Sequence, residues 1–306
     1  MLSALADPIL PVFAVMALGL ILGRIGLFSE EMARHINSFV FYVGQPALIF
    51  LLASNAPFGD YDIVALGLHI VTEIVLYAAV TLVAYKIFRR ELREAILIGM
   101  TAVFVNHLYY ILPIVQLMRG AEAAVPIEAA IFIDVTVFYC GTIFIMDLTA
   151  RDRSSLASTP IMLAKNPALM ALLLGVAANF ADGALPGGIQ TFAKFAGASA
   201  PPISLFALGV MLSRTATLKP DTLLAGLIGT KVLIHPLIAF GLFSAAAVPA
   251  TWSAPLVLVA AGPCGAMSFV IALQYKIETA TIAKAILIST ILTIVSLSAL
   301  TGFIPE

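Results

Sequence analysis

The feature that most constrains this chain is a series of long apolar runs separated by short polar segments. Ten runs approach the roughly 20 apolar residues that a membrane-spanning helix needs. They are Leu5–Gly23, Ile36–Ser54, Ile63–Tyr85, Ala95–Met118, Ile127–Leu148, Pro167–Ala181, Ala198–Leu212, Thr222–Val248, Ala254–Tyr275 and Thr281–Phe303. Since 61% of the 306 residues are hydrophobic and only 11% are charged, a soluble domain could not remove so much apolar surface from water. The runs do not alternate apolar and polar residues, so we predict an all-α integral membrane protein rather than a β-barrel.

The remaining composition excludes other classes of function. The net charge of −1 offers no basic surface for nucleic acid. Cys140 and Cys264 lie inside apolar runs and form no disulfide or metal-binding pattern, so we expect neither a cofactor nor a bound metal. The first ten residues contain no Lys or Arg, which a cleaved signal peptide would carry, so the first run is predicted to be a retained span.

Basic residues in the loops predict how the spans are oriented. Loops on one side contain 13 Lys and Arg residues, whereas loops on the other side contain only Arg119 and Lys194. Because basic loops stay in the cytoplasm, this split predicts ten spans with both termini periplasmic or extracellular. The expected location is the cell membrane, with the lipid bilayer as the surrounding medium.

Three pairs of markers recur in the same order along the chain. The pairs are Asp7-Pro8 with Asn166-Pro167, Gln45-Pro46 with Ala200-Pro201, and Pro113 with Pro263, at offsets of 159, 155 and 150 positions. We therefore predict two five-span repeats, 1–148 and 166–306, joined by a cytoplasmic linker at 149–165. Because five is odd, the second repeat would enter the membrane from the opposite side, which is the inverted-repeat architecture of many secondary transporters.

Pro113 and Pro263 fall inside the fourth and ninth runs. Proline removes one hydrogen bond from a helix and disrupts the residues before it, and two broken helices at corresponding positions are typical of a transport site. If the breaks cross, the N-terminal ends of the half-helices would offer N–H groups and partial positive charge to a carboxylate at mid-membrane. Ordinary kinks without a functional role are the alternative interpretation.

Five segments, taken in order, carry a resemblance to a known family. They are Pro11–Gly19, Asn37–Phe50, Asn166-Pro167, Lys231–Pro236 and Pro263–Tyr275. Together they resemble the auxin efflux carrier family, which includes plant PIN carriers and bacterial malate or malonate permeases. The resemblance covers nearly the whole chain.

The resemblance implies ten helices in two inverted repeats, related in fold to bile acid sodium symporters. It also implies a scaffold of spans 1, 2, 6 and 7, a transport domain of the other six, and substrate binding where broken spans four and nine cross. The family has an Asn seven residues before the proline of span four, as in Asn106 and Pro113 here. The chain differs from the family at His107–Leu112, where small residues and glycines are usual, and at Gln45, where an apolar residue is commoner. The predicted substrate-binding residues are Asn106, His107, Tyr110, Pro113, Gln45, Pro263 and Ser268. A structural core histidine at His107 and aromatic packing at Tyr110 are the alternative interpretations.

Three charged side chains, Glu73, Asp134 and Lys231, lie seven to ten residues inside their runs. At 1.5 Å per residue they are roughly 10–15 Å deep, so we expect them near one plane. A charge there costs about 2.5–3.5 kcal/mol unless it faces protein or water. His69 precedes Glu73 by four residues on the same helix face, so the two form a candidate proton-binding pair. Lys231 is predicted to neutralise Glu73 or to attract an anionic substrate; purely structural ion pairs or hydrogen bonds are the alternatives for all three charges.

These features predict a secondary transporter that moves a small organic anion by alternating access. The family resemblance suggests a mono- or dicarboxylate such as malate or malonate. Glu73, His69, His107 and Asp134 motivate proton coupling, while sodium coupling, uniport and a homodimer stay open. An enzyme is not expected, because the sequence lacks H-E-x-x-H and P-loop patterns. A ligand-binding membrane sensor without flux is the stronger rival, and a channel is the weaker one.

Overall fold

A computed structural model of the chain describes residues 2–149, 160–161, 163–181, 185–213, 221–278 and 280–301. The regular structure in these ranges is helical apart from one isolated β-bridge. Four stretches are long and apolar enough to span a membrane: Glu30–Ser54, Ile63–Lys86, Glu122–Leu148 and Thr222–Ala245. Shorter apolar helices accompany them at Ala14–Arg24, Pro167–Phe180, Ala250–Ala261 and Ala280–Thr293. The prediction of an all-α membrane protein is therefore confirmed, while the ten-span inverted repeat stays a prediction.

The α-helices are numbered in chain order. Before the predicted linker they are α1 Leu2–Arg24, α2 Glu30–Phe39, α3 Gln45–Ser54, α4 Ile63–Lys86, α5 Leu92–Val103, α6 Leu112–Arg119, α7 Val125–Ile133 and α8 Cys140–Leu148. After it they are α9 Pro167–Phe180, α10 Gly187–Ala198, α11 Ala200–Ser213, α12 Thr222–Gly229, α13 His235–Ala245, α14 Ala250–Ala261, α15 Met267–Gln274 and α16 Ala280–Thr301. Most of the predicted linker at 149–165, namely 150–159 and 162, lies outside the described residues.

Several helices join through π-helical segments, in which each N–H bonds five residues back. These segments are Val40–Gly44, His107–Ile111, Asp134–Tyr139 and Thr230–Ile234. Three of them end two residues before a proline, at Pro46, Pro113 and Pro236. Because proline has no N–H, the carbonyl four residues earlier loses its α-helical partner, and a wider turn accommodates the loss. No proline follows the segment that starts at Asp134, and π turns of this kind are frequent at functional sites.

Most helix bounds agree with the predicted runs to within a few residues, but the second and seventh runs begin earlier than predicted. α2 begins at Glu30 and is capped by Ser29, whose hydroxyl accepts a bond from the Met32 N–H at 3.1 Å. α10 begins at Gly187, and only Ser199 separates it from α11. Both extensions contain charged or small polar residues, so a search for apolar runs could not find them.

The fourth and ninth runs are broken, and their breaks meet. Val105 lies between α5 and α6, Cys264 lies between α14 and α15, and the two residues form an antiparallel bridge. Both residues are buried. Their pairing satisfies backbone groups that the interrupted helices leave free, as a bilayer interior requires. The expected contact between the two interrupted runs is thus present.

Two backbone hydrogen bonds flank this bridge. The Asn106 N–H donates to the Pro263 carbonyl at 2.9 Å, and the Gly265 N–H donates to the Phe104 carbonyl at 2.7 Å. The two donors are 159 positions apart, and so are the two acceptors, which is the offset of the first pair of sequence markers. The bonding pattern therefore matches Pro263 with Phe104. Pro113 lies inside α6, so its predicted equivalence to Pro263 is not seen in the bonding at the crossing.

The helices pack in two groups around this crossing. α1 packs along α11, and α3 packs against α9 and α10. Gly19 and Gly209 permit the first approach, because a Cβ on either glycine would overlap the facing backbone at Phe206 or Met16. In the second group α4 packs against α5, α5 against α15 and α16, and α12 against α16. The first group corresponds to predicted spans 1, 2, 6 and 7; the division into scaffold and transport domains stays a prediction.

Candidate functional site

A buried group of two imidazoles and two carboxylates lies beside the crossing. It consists of His69, Glu73, His107 and Asp134, and we call it the acid–imidazole cluster. His69 Nε2 lies 3.5 Å from Glu73 Oε1 and 3.6 Å from Asp134 Oδ1. His107 Nε2 lies 3.5 Å from Asp134 Oδ2. The exposed fraction of each residue is 3% or less, so four ionisable groups share one site away from the surface.

Three elements bring these side chains together. His69 and Glu73 are one helical turn apart on α4, which Asp62 caps by accepting a bond from the Ala65 N–H. Asp134 begins the π segment between α7 and α8, and His107 begins the π segment that leads into α6. The sequence predicted the first pair from its spacing. The neighbours of Asp134 could not be identified in this way, because they lie 65 and 27 positions earlier in the chain.

His107 has a defined proton position. Its Nδ1 lies 2.7 Å from the Val105 carbonyl oxygen, and a carbonyl only accepts, so Nδ1 carries the proton and donates it. In the neutral ring, Nε2 therefore presents a lone pair to the Asp134 carboxylate 3.5 Å away. Two acceptors do not attract each other, so a proton or another cation bound between them would convert this contact into an attraction.

The functional atoms of the cluster have no hydrogen-bond partner among the described residues. This holds for His69 Nε2, His107 Nε2 and all four carboxylate oxygens of Glu73 and Asp134. Buried polar atoms are normally hydrogen-bonded, and exceptions need a physical explanation such as a bound ion or a chemical role. The arrangement therefore suits the binding of protons or of another cation between these atoms.

Lys231 is fully buried and contacts a broken helix end rather than a carboxylate. Its Nζ lies 3.0 Å from His235 Nδ1 and 3.5 Å from the Val103 carbonyl oxygen. Val103 ends α5, where free carbonyls carry partial negative charge, so an ammonium group stabilises this end. Within the described ranges no carboxylate oxygen lies within 4.0 Å of Lys231 Nζ. Lys231 thus makes no direct ion pair with Glu73 in the described residues, and its predicted electrostatic role toward Glu73 or an anionic substrate stays a prediction.

Two helix N-termini lie at the crossing. The π segment that leads into α6 starts at His107, and α15 starts at Met267, each shortly after the bridged residues. The first N–H groups of a helix lack acceptors within it and carry partial positive charge, which suits an anion. Asn106 is partly exposed there, and its amide both donates and accepts. These groups suit an anion, and they lie next to a cluster whose unpaired acceptor atoms suit a cation; substrate binding at the crossing stays a prediction.

Two of the other predicted substrate residues, Ser268 and Tyr110, make side-chain hydrogen bonds to neighbouring helices. Ser268, in the first turn of α15, accepts a hydrogen bond from Thr101 of α5 at 2.8 Å, which joins the two broken spans. Tyr110 is fully buried, and its hydroxyl accepts a bond from Thr293 at 3.3 Å. Gln45 is buried at the start of α3. The sequence interpretation did not single out Thr101 or Thr293, for which a hydroxyl inside an apolar run was the only signal.

Comparison with known proteins gives a consistent result over nearly the whole chain. The model of a family described as membrane transport protein matches residues 4–301. A protein of Rhizobium meliloti (strain 1021) named "Putative malonate transporter" is 24% identical, with 95% of this chain and 93% of that protein covered. An "Uncharacterized transporter" of Methanothermobacter thermautotrophicus is 27% identical, with 95% of each chain covered.

Proposed function

Because this chain belongs to the membrane transport protein family, we propose that it is a secondary transporter that carries a small organic anion by alternating access. The substrate class is a dicarboxylate such as malonate or malate, and the coupling ion is the proton. The name of the Rhizobium meliloti relative supports the substrate class. Transport, rather than catalysis, is also what the names of both relatives indicate.

The main support for the proposal is the position of His107, which belongs both to the crossing, where an anion is favoured, and to the acid–imidazole cluster, where a cation is favoured. His107 begins one of the two half-helices at the crossing, and its Nε2 contacts Asp134 in the acid–imidazole cluster. A substrate carboxylate bound at the N-terminus of that π segment would lie close to the protons that neutralise the cluster. The charge of the anion and the charge of the protons then favour each other's binding, which is the requirement for coupled transport.

Proton binding also lowers the free-energy cost of moving the acid–imidazole cluster during alternating access. Glu73 and Asp134 are two carboxylates at one buried site, and they repel each other when both are ionised. Protonation through His69 or His107 relieves this repulsion and the cost of charge inside the bilayer. Sodium is the weaker candidate at this site, because hard cations prefer oxygen ligands and half of these residues are imidazoles.

Uptake by the purified protein in liposomes tests the proposal. With labelled malonate outside, an inward proton gradient should raise accumulation several-fold above that at equal pH. Glu73→Gln and Asp134→Asn preserve side-chain shape but remove the ionisable group, so both should lose the stimulation by the gradient. Glu31→Gln changes an exposed acid of α2 and should keep it.

Other outcomes would contradict specific parts of the proposal. Wild-type uptake that is equal with and without the gradient would exclude proton coupling. Saturable malonate binding without flux under any gradient would favour a ligand-binding sensor. Unaltered gradient-driven uptake in both carboxylate variants would exclude the acid–imidazole cluster as the coupling site.

A further inference from the structure

We propose that the acid–imidazole cluster is also a binding site for a divalent transition-metal ion, with Zn²⁺ as the best-fitting case. His69, Glu73 and Asp134 supply three ligands, and His107, whose Nε2 contacts the other oxygen of Asp134, becomes the fourth when the ion binds. The binding itself does not depend on the proposed transport function. A consequence of binding, inhibition of coupled transport, does rest on it.

The distances between the ligand atoms fit a small tetrahedral ion. One ligand atom from each of His69, Glu73 and Asp134 lies within 4.8 Å of the other two. In a tetrahedral zinc site with bonds of about 2.0–2.1 Å, neighbouring ligand atoms are about 3.3–3.4 Å apart. His69 Nε2 is 3.5 Å from the Glu73 oxygen and 3.6 Å from the Asp134 oxygen, so these two distances need only a slight contraction. The two carboxylates, whose ligand atoms are within 4.8 Å, move closer together when the ion neutralises their repulsion.

The donor set and its charge select the class of metal. Imidazole nitrogen with carboxylate oxygen is the ligand combination of Zn²⁺ and its neighbours, whereas Ca²⁺ and Mg²⁺ prefer oxygen alone. Two ionised carboxylates, two neutral imidazoles and one divalent ion have a net charge of zero. A complex with no net charge avoids most of the free-energy cost of burying charge at this depth.

His107 is already arranged as a metal ligand. A histidine that binds metal usually donates its other ring N–H to a carbonyl or carboxylate, which fixes the ring and directs the free lone pair at the ion. His107 Nδ1 makes this bond to the Val105 carbonyl, at 2.7 Å. Its Nε2 lies 3.5 Å from the second oxygen of Asp134 and has no other partner in the described part of the chain. His107 lies outside the group of three residues whose ligand atoms are all within 4.8 Å of one another, so its binding to the same ion requires the Asp134 carboxylate and the His107 ring to move together. The ion would enter at the partly exposed Asn106.

The spacing of His69 and Glu73, H-x-x-x-E, gave too few ligands to predict this site from the sequence. The third and fourth ligands come from α4's neighbours, the π segments that begin at Asp134 and His107. The expectation of no bound metal followed from the lack of a local pattern, and these residues are far apart in the chain. The cluster contains two of the four histidines of the sequence.

Zn²⁺ binding to the full chain in detergent tests the proposal. Titration calorimetry and metal content after desalting should both give about one saturable Zn²⁺ per wild-type chain. His69→Gln and Glu73→Gln should weaken binding by at least about 100-fold, since loss of a direct ligand costs more than the 10–100-fold of an outer-shell change. His35→Gln removes an exposed imidazole of α2 and should leave binding unchanged.

Absence of saturable Zn²⁺ binding to the wild-type chain would overturn the proposal, and this result does not require any variant to fold. Equal binding by the wild type and by well-folded His69→Gln and Glu73→Gln would also overturn it. If the proposed function holds, Zn²⁺ should stop gradient-driven malonate uptake in the concentration range of binding, and a chelator should restore it. Zinc binding without any uptake would remove the transporter proposal, whereas uptake without zinc binding would remove only the metal site.

Discussion

At the scale of single residues, Lys231 stabilises the end of α5, where the first broken run is interrupted. Replacement by Met keeps most of the side-chain volume but removes the ammonium, so the Val103 carbonyl and His235 Nδ1 lose their donor. Leaving a buried polar group unpaired costs about 1–3 kcal/mol. We therefore expect Lys231→Met to lower the apparent Tm of the detergent-purified protein by several degrees, as measured by a thermal unfolding scan.

Lys194→Met is the matched control for this change, since Lys194 is exposed on α10. An exposed lysine has water as an alternative partner, so its loss should leave the apparent Tm within about a degree. An unchanged or raised Tm in Lys231→Met would show that the contact with α5 contributes nothing to stability.

At the scale of elements, the close approach of the two breaks depends on glycine. A Cβ on Gly265 would lie 2.7 Å from Phe104 Cδ1 and 2.9 Å from the Val105 carbonyl oxygen. The side chain could move, but the backbone oxygen belongs to the bridged segment, so Gly265→Ala should push the breaks apart at a cost of about 1–3 kcal/mol. We expect lower stability and a large loss of malonate uptake, measured on protein reconstituted in equal amounts.

Gly241→Ala is the control for this second substitution. Gly241 lies in α13, and nothing lies within 4 Å of the position that its Cβ would occupy. Alanine is the better helix former by about 1 kcal/mol, so this variant should be as stable as the wild type or more so, with normal uptake. Wild-type uptake and stability in Gly265→Ala would show that the close contact at the bridge is not needed.

The elements also show how far the sequence could predict the structure. Apolar length identified the helical runs, and helix spacing identified His69 with Glu73, because both signals are local. The exact position of the breaks depends on contacts between distant parts of the chain, because Phe104 and Asn106 form hydrogen bonds with residues that follow α14. Pro113, the local signal for a break, instead follows a π turn and lies inside α6. The acid–imidazole cluster likewise depends on packing between separate elements, which spacing along the chain does not specify.

At the scale of the whole molecule, the few charged residues form two sets. One set lies in the loops and predicts the orientation, and the other lies inside the membrane and is available for the mechanism. Basic residues concentrate in one set of loops, where they predict the side of the membrane. Glu73, Asp134 and Lys231 are buried instead beside the crossing, where few groups are available for coupling. A transport mechanism based on these few groups requires that α5 and α6, on either side of the break, together cross the bilayer.

This crossing can be measured with two matched cysteine substitutions. Glu91, before α5, and Glu122, after α6, are both exposed acids, and both would be replaced by Cys after the native Cys140 and Cys264 have been changed to Ala. The loop-charge asymmetry predicts that Glu122→Cys reacts with a membrane-impermeant maleimide on intact cells. Glu91→Cys should react only after permeabilisation, because its loop is basic and cytoplasmic. Labelling of both sites on intact cells would show that the α5–α6 pair does not span the membrane, and the reverse pattern would show the opposite orientation, with both termini in the cytoplasm.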